Sequence, residues 1–104
     1  MVYGYIRVST EKQDLDNQKF GILDYANKSG FNNIEFLEES ISSRKRLEDR
    51  QVWDLVHNKL KSNDVLITTE LSRFARSTLE VMHLFKLFTE KGIKVHVIKN
   101  NIKL

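Results

Sequence analysis

An arginine and a serine stand one residue apart where an apolar run turns polar. Arg7 and Ser9 close the stretch that begins at Val2, and Gln13 follows four residues after the serine. Two later polar segments carry related chemistry: Ser42 with Arg44, Lys45, Arg46 and Arg50, then Arg73 with Arg76. A serine hydroxyl becomes a nucleophile once its proton has somewhere to go. Arginine offers a planar, permanently charged fork that matches phosphate oxygens. A serine among several arginines is a kit for attacking a phosphodiester without a metal, because stabilising the crowded phosphorane is mainly electrostatic.

The elements between these segments decide whether they meet. Val2 to Val8 reads as a strand buried on both faces. Leu15, Phe20, Ile22, Leu23, Tyr25 and Ala26 fit a helix with one broad apolar face, stopped by Gly30 as a left-handed cap. Residues 33–37 form a second short strand, and residues 38–46 a mobile polar loop in which Ile41 is the one large apolar residue. A second helix starts near Leu47 or Asp49, places Val52, Trp53, Val56 and Leu60 on one face, and closes at Asn63. Residues 64–69 give a third strand. Residues 78–91 give a third helix with Leu79, Met82, Phe85 and Phe88 inward and Gly92 as its stop. Residues 93–98 give a fourth strand, and residues 99–104 are too short to add an element. Alternating strands and helices predict an α/β fold, a three-layer sandwich around a mostly parallel sheet of four to five strands. In such a sheet the three polar segments converge on one edge, where strand ends and helix N-termini meet.

Composition narrows the classes. The chain has 104 residues, enough for one domain, with 40% hydrophobic and 30% charged residues. A net charge of +3 permits a polyanionic partner without requiring one. There are no cysteines, which excludes disulfides, thiolate catalysis and cysteine-based zinc sites. No apolar run approaches the ~20 residues of a membrane span and no signal pattern opens the chain, so the expected location is cytoplasmic, with no membrane partner. His57, His83 and His96 lack metal-ligand spacing, and the four glycines do not form a phosphate-cradling loop. No metal and no cofactor are expected.

Two motifs carry a family resemblance. Tyr5-x-Arg7-Val8-Ser9-Thr10-x-x-Gln13-x-x-x-x-Gln18 and Leu71-Ser72-Arg73-x-x-Arg76-Ser77 resemble the signatures of the serine recombinases, the resolvase/invertase family. Between them, Arg50 and Asp64 match the family's central arginine and the Asp before its third strand. The resemblance covers essentially the whole chain, as a catalytic domain of resolvase-like fold. It implies a site-specific DNA recombinase, of resolvase, invertase or transposase type, that needs no cofactor. Ser9 would attack a DNA phosphate to give a 5′-phosphoserine link and a free 3′-hydroxyl. Arg7, Arg50, Arg73 and Arg76 would bind that phosphate, Gln13 and Gln18 would orient the groups around it, and Tyr5 would support the strand end. Ser42 would sit in the loop beside the site. The partners implied are double-stranded DNA and further copies, as a homodimer or tetramer of the full-length protein.

The sequence departs from the family in three places. Ser72 stands where many members have Asp, with Glu70 a weak substitute. The loop before Arg50 is about two residues longer than in compact members, so Arg46 competes with Arg50 as the central arginine, and the distance to Asp64 favours Arg50. The family's long dimerisation helix and DNA-binding domain are missing, which suggests a fragment of something longer, with weak or no activity alone.

Plainer readings stand beside these. Arg44, Lys45 and Arg46 fit a solvated loop touching DNA phosphates better than they fit catalytic machinery; such contacts add salt-sensitive affinity but no sequence information. A helix N-terminus is a poor place for cations, so Arg73 and Arg76 there suggest a bound anion. The rival functions are an inactive recombinase-fold assembly module and a receiver-like α/β binding domain. The latter would need acidic clusters where this chain has arginines.

Overall fold

The computed structural model describes residues 1–8, 11–40, 46, 49–75 and 77–103. Its elements run β1 (Val2–Val8), α1 (Lys12–Lys28), β2 (Ile34–Ser40), α2 (Gln51–Asp54), β3 (Val65–Thr68), α3 (Thr78–Lys91), β4 (Lys94–Val97) and β5 (Ile102–Lys103). A π-helical turn, Leu55–Lys59, continues α2, and a 3₁₀ turn, Leu71–Arg73, follows β3. The sheet order is β2-β1-β3-β4-β5. Strands β1 to β4 pair in parallel, and β5 returns antiparallel to β4.

Alternation along β1 builds the layers. Tyr3 and Tyr5 face one side, where they pack with Val52, Val56, Leu84 and Phe88 of the α2 and α3 layer. Ile6 faces the other, with Ile22 and Ala26 of α1 and with Val65 and Ile67 of β3. Gly4 lies on the α1 side, where a Cβ would come within 2.9 Å of Ile22 and of the Phe36 ring. Helices thus cover both faces, giving the expected three layers.

Several expectations change. Phe20 and Leu23 are exposed, because the stripe of α1 that meets the sheet runs through Gln18, Ile22 and Ala26. Leu79 and Met82 are likewise exposed at 77% and 63%, since α3 turns Leu84 and Phe88 inward. The second strand runs on to Ser40, so the start of the expected loop is strand and Glu39 is buried within it. Residues 41–45 lie outside the described residues. The second helix loosens into the π turn, and Lys91 Nζ donates to the Val56, His57 and Leu60 carbonyls at its end. The last residues do add an element: a turn with Asn101 at φ 52° returns the chain to pair Ile102 with Val97. Gly30 and Gly92 take positive φ of 80° and 75° where caps were expected, and Asn63 does the same at 74°. Among the described residues no helix is long and apolar enough to cross a membrane.

The sheet order reverses between β1 and β3: the chain steps from β1 outward to β2, then returns to the far side of β1. The crevice beyond the carboxyl ends of strands at such a switch is where open α/β sheets take ligands.

Candidate active site

At the carboxyl end of β1, Gln18 of α1 pairs with the backbone of Arg7 as a neighbouring strand would. Its Oε1 accepts from the Arg7 N–H at 3.2 Å and its Nε2 donates to the Arg7 carbonyl at 3.0 Å. Gln18 is 2% exposed, so an amide with both a donor and an acceptor is the side chain that satisfies this strand end without water. The Arg7 side chain is buried and its Nη1 lies 3.4 Å from the Ser72 carbonyl, linking β1 to the turn after β3. Ser9 follows one residue beyond β1 in sequence and lies outside the described residues, as do Ser42, Arg44, Lys45 and Arg76.

Arg50 and Arg46 part company. Arg46 is exposed and pairs with Asp49 at 3.3 Å, whereas the Arg50 side chain is 4% exposed. Arg50 Nε donates to Glu39 Oε2 at 2.9 Å, Nη2 to the Tyr5 hydroxyl at 3.1 Å, and Nη1 to the Phe74 carbonyl. Nη2 also lies 3.4 Å from the Arg73 carbonyl. The Tyr5 hydroxyl in turn donates to Glu39 Oε1, and its ring stacks on Phe74 with centroids 5.3 Å apart. Burial works against the Arg50 charge, but the Glu39 hydrogen bond, Tyr5 and the Glu39 charge outweigh it and raise the pKa above the ordinary arginine value. Burial, then the Glu39 carboxylate, pushes Tyr5 far above the ordinary tyrosine value. The triad is a charged knot beneath the site. It locks β1 and β2 to the carbonyls of Arg73 and Phe74.

Arg73 sits between two carboxylates. Its Nη2 is 3.1 Å from Asp14 Oδ1 and 2.9 Å from Glu70 Oε1. Gln18 Nε2 donates to the other Asp14 oxygen at 2.9 Å. Asp14, Gln18, Arg73, Thr69 and Lys99 line a cavity of about 190 Å³ between α1 and the ends of β3 and β4. Two buried polar atoms, Thr69 Oγ1 and Arg73 Nε, have no hydrogen-bond partner among the described residues.

The fold therefore gathers Tyr5, Arg7, Gln18, Arg50 and Arg73 at one sheet edge. Gln13 is exposed on the first turn of α1. Arg73 occupies the 3₁₀ turn, five residues before α3 begins, and not an N-terminal helix turn. Sequence reasoning missed Glu39 and Asp14. Glu39 had one signal: it falls two residues after the buried Leu37, on the inward alternation of a strand, where a carboxylate needs a cation. Asp14 had none beyond its place in the first turn of α1. Among the described residues no group of three or more His, Asp or Glu could hold a metal.

Residues 2–104 match the family model described as "Resolvase, N terminal domain". The chain is similar to a resolvase from Clostridium perfringens, 33% identical over 100 residues that cover 96% of this chain and 50% of that protein. It is similar to the transposon Tn3 resolvase of Escherichia coli, 33% identical over 101 residues that cover 97% of this chain and 51% of that protein. The chain thus spans about half the length of the curated relatives it matches. In fold it is similar to the N-terminal catalytic domain of TP901-1 integrase, with a TM-score of 0.76 at 23% identity, covering 98% of this chain and 79% of that one.

Proposed function

The chain belongs to the resolvase family, and on that premise we propose that it is the catalytic domain of a serine site-specific DNA recombinase. The observation that carries the reading is the meeting of Arg7 and Arg73 at the β1/β3 switch. There Arg7 Nη1 reaches the Ser72 carbonyl at 3.4 Å, two residues before Ser9 in sequence. Arg73 on the cavity wall, with the buried Arg7 against the turn that carries it, suits a phosphodiester better than a neutral ligand.

In this reading Ser9 Oγ attacks a backbone phosphorus. The Oγ–P bond forms, the bond from phosphorus to the 3′ oxygen breaks, and the serine proton is lost while the 3′ oxygen takes one up and leaves as a hydroxyl. The 5′-phosphoserine keeps the energy of the broken bond, so a 3′-hydroxyl from another strand reverses the step without a cofactor. Arg7, Arg73 and Arg76 hold the phosphate. Arg50, enclosed by Glu39, Tyr5 and two carbonyls, positions the Arg73 turn from beneath. Gln18 sets the strand end, Gln13 lies nearer solvent, and Ser42, Arg44, Lys45 and Arg46 border the DNA. The partners are double-stranded DNA and further copies of the protein, as dimers that pair into tetramers, in the cytoplasm. Affinity and register on DNA come from parts of the full-length protein outside this chain.

The test is covalent trapping. The full-length protein and its Ser9→Ala variant are incubated with supercoiled plasmid carrying the DNA that flanks the coding sequence, then run on a denaturing gel. A protein–DNA adduct that disappears in Ser9→Ala is the expected result. An adduct that survives the substitution moves the nucleophile elsewhere and ends this assignment.

A further inference from the structure

We propose that Asp14, seconded by Glu70, is the positioning residue for Arg73, and that through Gln18 it couples the placement of Arg73 to the strand end that carries Arg7. The inference rests on Arg73 being a phosphate-binding residue of the recombinase reading. Three contacts in series carry it. Gln18 Nε2 bonds both the Arg7 carbonyl at 3.0 Å and Asp14 Oδ2 at 2.9 Å, and Asp14 Oδ1 meets Arg73 Nη2 at 3.1 Å. The second carboxylate comes from another element: Glu70, just after β3, reaches the same Nη2 at 2.9 Å.

The way Arg73 is held is informative. Both carboxylates take Nη2, while the buried Nε has no partner. The guanidinium is gripped at one corner while its buried Nε donor stays unspent, and a donor desolvated without an acceptor is costly, so among the described residues the Arg73 side chain is held at Nη2 alone. A long arginine on a three-residue 3₁₀ turn has little of its own to fix it, so the carboxylates supply its orientation. Because Gln18 holds Asp14 and the Arg7 backbone together, the two phosphate-binding arginines move as one unit across the β1/β3 switch.

The test uses ¹⁵N relaxation at the arginine Nε–Hε groups of this chain, alongside adduct formation by the full-length protein on the same plasmid. The variants are Asp14→Ala, Asp14→Asn and, as a control, Asp16→Ala on the exposed side of the same turn. Expected is an Arg73 Nε–Hε that is ordered in the parent and in Asp16→Ala but mobile in Asp14→Ala. Adduct formation should slow by about 10- to 100-fold in Asp14→Ala, as a small misplacement of a binding group can cost. Half-saturating DNA should be unchanged, and Asp14→Asn, which keeps one acceptor, should fall between. An Arg73 that stays ordered in Asp14→Ala overturns the proposal. So does an unchanged or faster adduct, the latter meaning that the carboxylates restrain Arg73. If no protein forms an adduct, the parent included, the recombinase reading fails, and Arg73 mobility alone decides the role of Asp14.

Discussion

Replacing Glu39 with Gln tests the buried knot most directly. Glu39 accepts four hydrogen bonds, from the Tyr5 hydroxyl, Arg50 Nε, Arg50 Nη2 and the Val52 N–H, and its side chain is 5% exposed. Gln keeps the shape but offers one acceptor oxygen. That oxygen can serve the three donors now on Oε1, which leaves an amide NH₂ facing the Arg50 Nε–H. The substitution also leaves the Arg50 charge without its counter-ion in the interior. Removing one partner of a buried pair costs about 3–5 kcal/mol. The whole fold is worth only about 5–15 kcal/mol, so a large share would go. In a urea titration, at the low end of the usual slope of about 1–3 kcal/mol per M, the midpoint should fall by roughly 3–5 M. The slope itself should be unchanged, because the folded shape is unchanged. A loss under about 1 kcal/mol at neutral pH would refute the reasoning: the pair would then be neutral or hydrated, and Arg50 held by the Phe74 and Arg73 carbonyls alone.

Other outcomes follow from the same structure. Gly4→Ala puts a methyl within 2.9 Å of Ile22 and Phe36, both packed in the α1 layer, so about 1–3 kcal/mol of stability should be lost in the same titration; an unchanged midpoint would mean that layer is loosely packed. Tyr5 predicts an alkaline limit. Its folded pKa is raised, so its contribution is complete below the unfolded value of about 10, and the unfolded chain then releases a proton that the folded chain keeps. Stability should therefore fall as pH rises past that point. The fall should be shallower in Tyr5→Phe by about 1.4 kcal/mol per pH unit, and equal slopes would show that the hydroxyl ionises in place.

Much of the architecture was legible in the chain because it is written locally. Alternating apolar runs, helical spacing, and the glycine and asparagine stops at Gly30, Asn63 and Gly92 each depend on a few neighbouring residues and on backbone sterics, so they survive being read in one dimension. The exposed Phe20, Leu23, Leu79 and Met82 were not legible: apolar residues ring both helices, and only the position of the sheet selects which stripe is buried. The return strand β5 depended on a turn through Asn101 and an open edge on β4. For the site, the resemblance carried by the two motifs pointed to Arg7, Gln18, Arg50 and Arg73, yet it ranked Arg46 as a rival to Arg50 and put Gln13 beside Gln18. Burial separated them. The carboxylates were decided by tertiary structure: Glu39 lies 11 residues from Arg50 in sequence and Asp14 lies 59 from Arg73, and neither pair has a short-range signal. An ion pair is chosen by where two backbones place their side chains and how much water is left between them, and that is settled only when the parallel strands bring their ends to one edge.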